Sequence, residues 1–448
     1  MQLQLLALFV AAASFIVETR AAPAVSAREQ LRFNDGWALE DHLGNLSPWR
    51  KAPVPEGISE DLPENCVVDQ VMLMHRHGSR YPLVTELLFI QGLSSRLANA
   101  SDIIQNLSDL PDEFQFLKKS YSTKLGHDDL TAPGRRQTFD AGVEFRLQYP
   151  QLAAKTILAG LQDRVVESAQ WFQQGFFGRT YSNTSVLETI PEDNVTISWI
   201  TPMNTCPLWQ YNYGNNLTIA WGNTYLPPIQ ERLNDVLQGV ELSLDDVHGA
   251  FYACVYDLAA WGVSPWCSVF THSEIEDFEY ELDLLMVGAF GYNLPGDMGS
   301  VLGSLLVDKV IERFTNASGT SVPMYLEFGH DTSIDMALTA LGLAQDDPPL
   351  TVDSRPSERK WRTSQQVPFA ARMVFERFSC SSSSEFEANT PYVRLMLNAS
   401  PFPLSTCQDM DSKYGTCTLA DFTASNKAST DTVWGDARWN QTCGNPGF

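Results

Sequence analysis

The sequence predicts an α/β fold in which helices flank an open, mostly parallel sheet and a mostly helical cap is inserted into the chain. Two apolar runs, at residues 71–74 and 322–328, each end in a short polar segment, as buried strands followed by loops do. Residues 205–315, which lie between them, are largely helical by the spacing of their apolar residues, and helices are expected at 226–237, 244–261, 275–290 and 299–314. Strands separated by helical segments are typical of a parallel sheet.

Shorter patterns complete the predicted order of elements. A second strand is expected at 156–159, followed by a helix at 164–175, and two edge strands are expected at 367–372 and 393–397. The predicted segments, in chain order, are a signal peptide at 1–22, an N-terminal arm at 23–65, an α/β core formed by 66–84, 151–204 and 316–448, and a cap formed by 85–150 and 205–315.

Composition and charge limit the class of protein. Of the 448 residues, 44% are hydrophobic and 19% are charged, which is typical of a globular chain. The net charge is −24 and the pI is near 4.6, and we found no basic stripe that would offset this charge. The sequence therefore predicts neither a nucleic-acid partner nor an anionic membrane partner, and it favours work at acid pH.

The N-terminus and the sequons indicate secretion. No charged residue precedes Glu18, and small residues follow at Ala21 and Ala22, so we expect a secretory signal peptide cleaved near Ala22. No later stretch approaches the roughly 18 apolar residues of a membrane span, so the mature protein is expected to be extracellular. Pro48 and Pro401 disfavour glycosylation at Asn45 and Asn398. The remaining candidate glycosylation sites are Asn99, Asn106, Asn183, Asn194, Asn216, Asn316 and Asn440.

The segment from Arg76 to Pro82, with the sequence R-H-G-S-R-Y-P, follows the first predicted strand. Ligands of open α/β sheets bind at the carboxyl ends of strands. The guanidinium groups of Arg76 and Arg80 match a phosphate bidentately, and their charge should lower the pKa of His77 below its usual value of about 6.5. A neutral nucleophilic imidazole in an anion cradle predicts phosphoryl transfer through a phosphohistidine.

A similar arrangement recurs after the strand at 322–328. His330 could donate to the phosphate, and Asp331 could protonate the leaving oxygen as a general acid. Taken alone, G-H-D is equally typical of a helix whose first turn carries an aspartate. Arg164, at the start of its predicted helix, would by position alone be a surface residue.

Four segments together resemble one family. They are R-H-G-x-R-x-P at 76–82, L-T-x-x-G-x-x-Q at 130–137, D-R-V-x-x-S-A-x-x-F-x-x-G-F at 163–176 and G-H-D at 329–331. The chain resembles the histidine acid phosphatases, the branch of the histidine phosphatase superfamily that includes fungal phytases, over roughly residues 60–443. The resemblance implies a phosphoglycerate mutase-like core and assigns Arg164 as a third phosphate-binding arginine beside Arg76, Arg80 and His330.

The resemblance also implies disulfide pairings that the cysteines do not determine by themselves. Eight cysteines spread over the chain lack the close spacing of a zinc site and allow on the order of 100 connectivities. The implied pairs are Cys66 with Cys380, Cys206 with Cys443, Cys254 with Cys267, and Cys407 with Cys417. Only the last two have independent support, from their short loops.

The hypothesis that follows is a secreted acid phosphatase acting on small phosphorylated substrates, with His77 as nucleophile, Asp331 as acid and no cofactor or metal. Residues 83–88 contain no lysine, so we expect broad specificity, with phytate as a plausible substrate. Two alternatives remain. One is a metal-dependent hydrolase that uses His75 and His77 with Asp331, and the other is a secreted anion-binding glycoprotein without catalysis.

Overall fold

The structure is a computed structural model that describes residues 37–381 and 385–444. The predicted signal peptide at 1–22 therefore lies outside the described residues, as do the first residues of the predicted arm. Within the described residues, no helix combines the length and the apolar character needed to cross a membrane.

One mixed sheet organises the described chain. Its strands are β1 (Cys66–Arg76), β2 (Thr156–Gly160), β3 (Val186–Ile190), β4 (Met324–Gly329), β5 (Arg372–Cys380), β6 (Tyr392–Leu397), β7 (Ser400–Pro401) and β8 (Cys417–Thr418). Their order is β3-β2-β4-β1-β5-β6-β7, with β8 against β6. The first four strands in this order are parallel, and β5 and β6 continue the sheet in antiparallel pairing. The predicted fold class is confirmed.

The helices alternate with these strands and fill the long insertions. They are α1 (Val84–Asn99), α2 (Ser101–Asn106), α3 (Ala132–Gln148), α4 (Asp163–Phe177), α5 (Tyr181–Thr184), α6 (Asn212–Val236), α7 (Leu244–Trp261), α8 (His272–Phe290), α9 (Met298–Phe314), α10 (Asp331–Ala340), α11 (Thr363–Gln366), α12 (Leu419–Ser425), α13 (Lys427–Thr430) and α14 (Ala437–Cys443).

Helices cover both faces of the sheet. Successive residues of β1 are apolar and point to opposite faces in turn, so each face needs an apolar cover. Val71 and Leu73 pack in one cluster with Phe145 of α3 and Phe172 of α4. Met72 and Met74 pack in another, together with residues of α9 and α10. Since α3 packs on the sheet beside α4, we propose that it belongs to the core, although the sequence prediction placed residues 85–150 in the cap.

The helices α1, α6, α7 and α8, which we propose as the cap, bury their apolar side chains in a separate cluster. α7 has the predicted bounds, since Ser243 caps its start and Gly262 ends it at a φ of 77°. α6 begins 14 residues before the predicted start at 226 and continues through Pro227 and Pro228. The predicted helix contains this proline pair in its first turn, whereas in the structure the pair lies in the middle of α6.

The predicted edge strand at 367–372 is wrong. α11 ends just before this segment, at Gln366, and a bend and a turn occupy most of 367–371. Ala370 has a φ of 58°, and β5 begins only at Arg372. The backbone N–H of Phe369 donates to the carbonyl of Ser47, so it is taken up outside the sheet. β5 also lies inside the sheet, between β1 and β6, and β6 lies between β5 and β7.

Four disulfides join distant parts of the described chain. They link Cys66 to Cys380, Cys206 to Cys443, Cys254 to Cys267, and Cys407 to Cys417. These are the pairs that the family resemblance implies. The first connects the amino end of β1 to the carboxyl end of β5, so it closes a loop that contains most of the molecule.

The candidate glycosylation sites differ in exposure. The side chains of Asn45 and Asn398 are buried, which argues against a glycan on either. Asn440 is half-buried, and its amide donates to the carbonyl of Gly435. The other six candidates, at positions 99, 106, 183, 194, 216 and 316, are exposed.

Candidate active site

The loop that follows β1 carries His77 at the centre of the sheet. β1 and β4 are parallel neighbours, and Arg76 lies opposite Gly329 at their carboxyl ends. The backbone N–H of His77 donates to the carbonyl of Gly329 at 3.1 Å, and its carbonyl accepts from the N–H of Ala370 at 2.9 Å. Two segments about 250 and 290 positions later in the chain therefore hold the backbone of His77 in place.

The imidazole of His77 is buried, and its Nδ1 lies 2.9 Å from the carbonyl oxygen of Gly78. A carbonyl oxygen only accepts hydrogen bonds, so Nδ1 carries the proton of the neutral ring. The other nitrogen, Nε2, therefore keeps its lone pair, as a nucleophile requires.

The pKa of His77 lies well below its usual value. Burial is the largest cause, and the positive charges of Arg164, Arg76, His330 and Arg80 act in the same direction. The sequence predicted the direction of this shift from Arg76 and Arg80. It could not predict burial as the main cause.

Arg76 is fully buried and linked to the helix that follows β4. Its Nη2 lies 2.8 Å from Oδ2 of Asp331, while Nη1 donates to the backbone carbonyls of Asn45 and Val367. The guanidinium carbon lies 4.6 Å from the centre of the Phe369 ring. These contacts fix Arg76 in one orientation beside the imidazole.

Arg80 and Arg164 bring two further cations. Nη1 of Arg80 donates to Oε2 of Glu86 at 3.3 Å and to the hydroxyl of Tyr256 at 3.1 Å. Arg164 lies in the first turn of α4, where burial and the charge of Arg80 lower its pKa to about 10. Its Nη1 is 3.9 Å from Oδ1 of the exposed Asp128. The structure thus brings Arg164 to the site, where position alone predicted a surface residue.

Buried donors in this cluster lack partners. The Nε atoms of Arg76, Arg80 and Arg164 are buried and make no hydrogen bond within the described residues. Unpaired buried donors are costly, and they are commonly explained by a ligand. Three guanidinium groups around one imidazole can hold a tetrahedral oxyanion through such donors.

His330 and Asp331 stand at the start of α10, beside His77. The His77 and His330 rings are 5.8 Å apart between centroids. Nε2 of His330 lies 2.8 Å from Oε2 of Glu192, and this hydrogen bond lowers the pKa of the Glu192 carboxyl even though burial opposes the shift. Both predicted residues of the G-H-D segment therefore reach the same site as the first motif.

Asp331 is ionised in this arrangement. Burial alone would raise its pKa, but the charge of Arg76, a 3.0 Å hydrogen bond from Nδ2 of Asn45 and the charges of His330 and Arg80 lower it overall. A second carboxyl, Asp335, lies one turn later on α10. Burial and the charge of Asp331 raise its pKa well above the usual value. Asp335 does not line the cleft, whereas Asp331 does.

Two residues of the site were missed by sequence reasoning. Asn45, which bonds to both Arg76 and Asp331, was considered only as a disfavoured sequon. Glu192 follows β3, a strand that was not predicted, and no local pattern marks it. Each reaches the site only through contacts between distant parts of the chain.

The helix start at 131–137 supports the nucleophile loop. Oγ1 of Thr131 donates to the carbonyl of Ser79, and Oε1 of Gln137 accepts from the N–H of Ser79. A Cβ atom at Gly78 would collide with the backbone carbonyl of Gly134. Gly78 is therefore needed for close packing against α3.

The three residues of the alternative metal site do not converge in the described chain. His75 lies in the apolar core, stacked on Phe328 at 4.9 Å between ring centroids, and its Nδ1 faces the carbonyl of Arg76 at 2.5 Å. Burial, with a smaller effect of Arg372, lowers the pKa of His75 to about 3. Within the described residues, three potential metal ligands come together only at Cys407, Cys417 and Asp421. The two cysteines there form a disulfide, so their sulfur atoms are not free thiolates.

The site opens into a cleft of about 1110 Å³ between the carboxyl end of the sheet and the cap. His77, Arg80, Arg164, His330 and Asp331 line its sheet side. A cleft of this size can hold a whole small molecule with one group on the imidazole.

Comparisons with known proteins place this geometry in context. The family model of the histidine phosphatase superfamily (branch 2) matches residues 67–398. A thiamine-repressible acid phosphatase of Schizosaccharomyces pombe is 31% identical over 92% of each chain. Phytase A of Emericella nidulans is 30% identical, over 85% of this chain and 86% of its own.

Solved structures give the same picture of the fold. A phytase from D. castellii has a TM-score of 0.80 at 25% identity, covering 96% of this chain and 91% of its own. A multiple inositol polyphosphate phosphatase from Bifidobacterium longum has a TM-score of 0.63 at 15% identity, covering 89% of this chain and 99% of its own. The second likeness shows the fold alone.

Proposed function

The chain belongs to branch 2 of the histidine phosphatase superfamily, and from that premise we propose that it is a secreted acid phosphatase that hydrolyses phosphomonoesters through a phosphohistidine intermediate. The observation that carries the proposal is the buried, neutral His77 imidazole, whose free Nε2 lies among arginines with unpaired donors. Acid phosphatases and phytases among its relatives support the same reaction class.

In the first step, Arg76, Arg80, Arg164 and His330 would bind the phosphate of the ester. Nε2 of His77 attacks the phosphorus atom in line with the ester oxygen, forms a P–N bond and breaks the P–O bond. Asp331 gives its proton to the leaving oxygen, so that an alcohol departs. The Nδ1–H bond to Gly78 stabilises the positive charge that develops on the ring.

In the second step, water attacks the phosphohistidine. The Asp331 carboxylate, which lost its proton in the first step, accepts a proton from this water. The P–N bond breaks, inorganic phosphate leaves and His77 returns to its neutral form. The three arginines supply the positive charge that the transferring phosphoryl group needs.

Asp331 must be protonated when the ester bond breaks, although its lowered pKa keeps it ionised before phosphate binds. A bound phosphate offsets the charges of Arg76 and Arg80 and adds negative charge, and both effects raise the pKa of a neighbouring carboxyl. A phosphate monoanion, which predominates below its second pKa of about 6, also brings a proton into the site. The proposed reaction is therefore favoured at acid pH.

The proposed setting of the enzyme is extracellular. Four disulfides are typical of proteins from oxidising compartments. The apolar N-terminus and the six exposed sequons support export. Its substrates would be small phosphorylated molecules, and phytate is one candidate.

The test is the release of phosphate from 4-nitrophenyl phosphate by the purified protein between about pH 3 and pH 7, with and without EDTA. Hydrolysis that EDTA leaves intact supports the proposal. Loss of activity with EDTA and its restoration by zinc would favour the metal-dependent alternative. Phosphate binding without turnover would identify an anion-binding protein instead.

Replacing Arg164 should change both binding and the pH profile. In Arg164→Gln we expect kcat/KM to fall about 10–100-fold, since one charge-assisted contact to phosphate is lost. The acid limb of kcat/KM should move to higher pH, because a cation that depresses the pKa of His77 is removed and the ring becomes protonated earlier as pH falls. Both profiles are measured on the same ester, so titration of the substrate cancels.

The matched control is Arg136→Gln, which removes an exposed arginine on α3 that pairs with Asp140 outside the cleft. Its profile should follow that of the wild type. A fall in kcat/KM for Arg164→Gln with an unmoved acid limb would mean that Arg164 binds phosphate without influencing His77.

A further inference from the structure

The cleft has a second wall, formed by cap residues, that none of the proposed chemical steps uses. It is formed by α1, α6, α7 and α8 of the cap and includes Phe89, Thr218, His248, Tyr252 and Leu285. We call these five residues the leaving-group pocket, since an ester whose phosphate lies on His77 would extend towards them. What this pocket accepts determines which esters are hydrolysed.

Aromatic rings form one side of the leaving-group pocket. The ring centroids of Phe89 and His248 are 5.1 Å apart, those of His248 and Tyr252 are 4.6 Å apart, and those of Phe89 and Tyr252 are 5.9 Å apart. Leu226, Leu244 and Leu285 add apolar surface nearby. Such a wall favours a flat ring, which can stack or pack edge-on against it.

The charges on this wall are negative or already paired. Oε1 of Glu281 lies 2.8 Å from Nε2 of His248, and this carboxylate raises the pKa of His248 although burial opposes the shift. Glu86 is bonded to Arg80 and to Tyr256. Asp245 lines the rim of the cleft and makes no ion pair within the described residues.

No cation is left for a second phosphate. Among the described residues that line the cleft there is no lysine, and the two arginines, Arg80 and Arg164, face the first phosphate. Each additional phosphate carries about −1.5 to −2 charges near neutral pH. Such a group would meet Asp245 and the Glu281 carboxylate without a free partner. The uncharged side chains of Asn215, Thr218 and Asn223, in contrast, can bond to hydroxyl groups.

We propose that the leaving-group pocket selects esters that carry one phosphate on an uncharged, ring-bearing alcohol, such as a nucleoside or an aryl alcohol, over inositol polyphosphates. This inference rests on the proposed phosphatase function and names the substrate class of the same site. Phytate is then a poor substrate, because five of its phosphates would have to lie in a pocket whose described residues offer no unpaired cation.

The test compares kcat/KM for three esters at about pH 5, where carboxylates are largely ionised. A nucleoside 5′-monophosphate and glycerol 3-phosphate both release a primary alcohol, so a difference between them reports the ring and not the chemistry. We expect kcat/KM for the nucleotide to exceed that for glycerol 3-phosphate about tenfold, and that for phytate by at least as much.

Two variants change these ratios separately. Phe89→Ala should lower the ratio of kcat/KM for the nucleotide to kcat/KM for glycerol 3-phosphate about fivefold. Phe89→Tyr keeps the ring and should preserve this ratio. Asp245→Lys should raise the phytate to nucleotide ratio about fivefold or more, because it supplies a cation at the rim. The control Glu231→Lys makes the same charge change at an exposed position of α6 outside the cleft, and its ratio should match that of the wild type.

The outcomes separate this inference from the function on which it rests. A wild-type kcat/KM for phytate that equals or exceeds that for the nucleotide overturns the inference and leaves the phosphatase intact. An unchanged ratio in Phe89→Ala also overturns it. A protein that hydrolyses none of the three esters overturns the proposed function itself.

Discussion

His77→Ala is expected to reduce kcat for phosphomonoester hydrolysis by about 10³–10⁴-fold or more, since the variant lacks the imidazole that is proposed to take the phosphoryl group from the ester. The measurement is phosphate release under saturating substrate, with rapid alkaline quenching of a reaction on radiolabelled ester. Wild-type protein should retain label on a histidine, and the variant should not. Added imidazole should restore part of the turnover, because it can enter the space left by the side chain.

The control for this substitution is His127→Ala. The His127 side chain is 62% exposed and pairs with its neighbour Asp128 on the surface. Its removal should leave turnover at the wild-type level. Turnover of His77→Ala near that of the wild type, with label still bound to the protein, would place the nucleophile elsewhere.

The loss of kcat in Asp331→Asn should depend on how strongly the leaving group of the ester needs a proton. On an alkyl phosphate, whose alkoxide needs a proton, we expect kcat to fall about 10²–10³-fold. On 4-nitrophenyl phosphate the first step should suffer much less, because nitrophenolate leaves without protonation. The ratio of the two losses measures general acid catalysis separately from any disturbance of Arg76, which pairs with Asp331 at 2.8 Å.

Asp335→Asn is the matched control, because it makes the same substitution one turn later on α10, outside the cleft. The ratio of its kcat on the alkyl phosphate to its kcat on 4-nitrophenyl phosphate should equal that of the wild type. An equal loss on both esters in Asp331→Asn would show that Asp331 positions Arg76 and does not donate the proton.

The parts of the molecule that the sequence predicted well are those with strong local signals. The apolar residues of β1 and β4 and the polar residues directly after them predicted two strand ends in one sheet, and β1 and β4 are neighbours. The start of α7 follows from Ser243 and its end from Gly262. Residue roles at the site remain proposals, but His77, Arg76, Arg80, Arg164, His330 and Asp331 do converge.

The parts that could not be predicted depend on contacts between distant residues. Asn45 bonds to Asp331 across 286 positions, and Glu192 bonds to His330 across 138. No spacing rule relates such pairs, because they meet only after the sheet has formed. The segment at 367–372 misled for the same reason, since the N–H groups of Phe369 and Ala370 donate to Ser47 and His77, outside the strands.

The position of Asn45 makes the N-terminal segment a vulnerable part of the enzyme. Hydrogen bonds from Phe369 to Ser47 and from Ala52 to Asn398 tie this segment to the sheet. Proteolytic trimming beyond residue 45 would remove the amide that orients Asp331 while all eight strands and four disulfides remain. Trimming by an exopeptidase would therefore silence the enzyme without unfolding it.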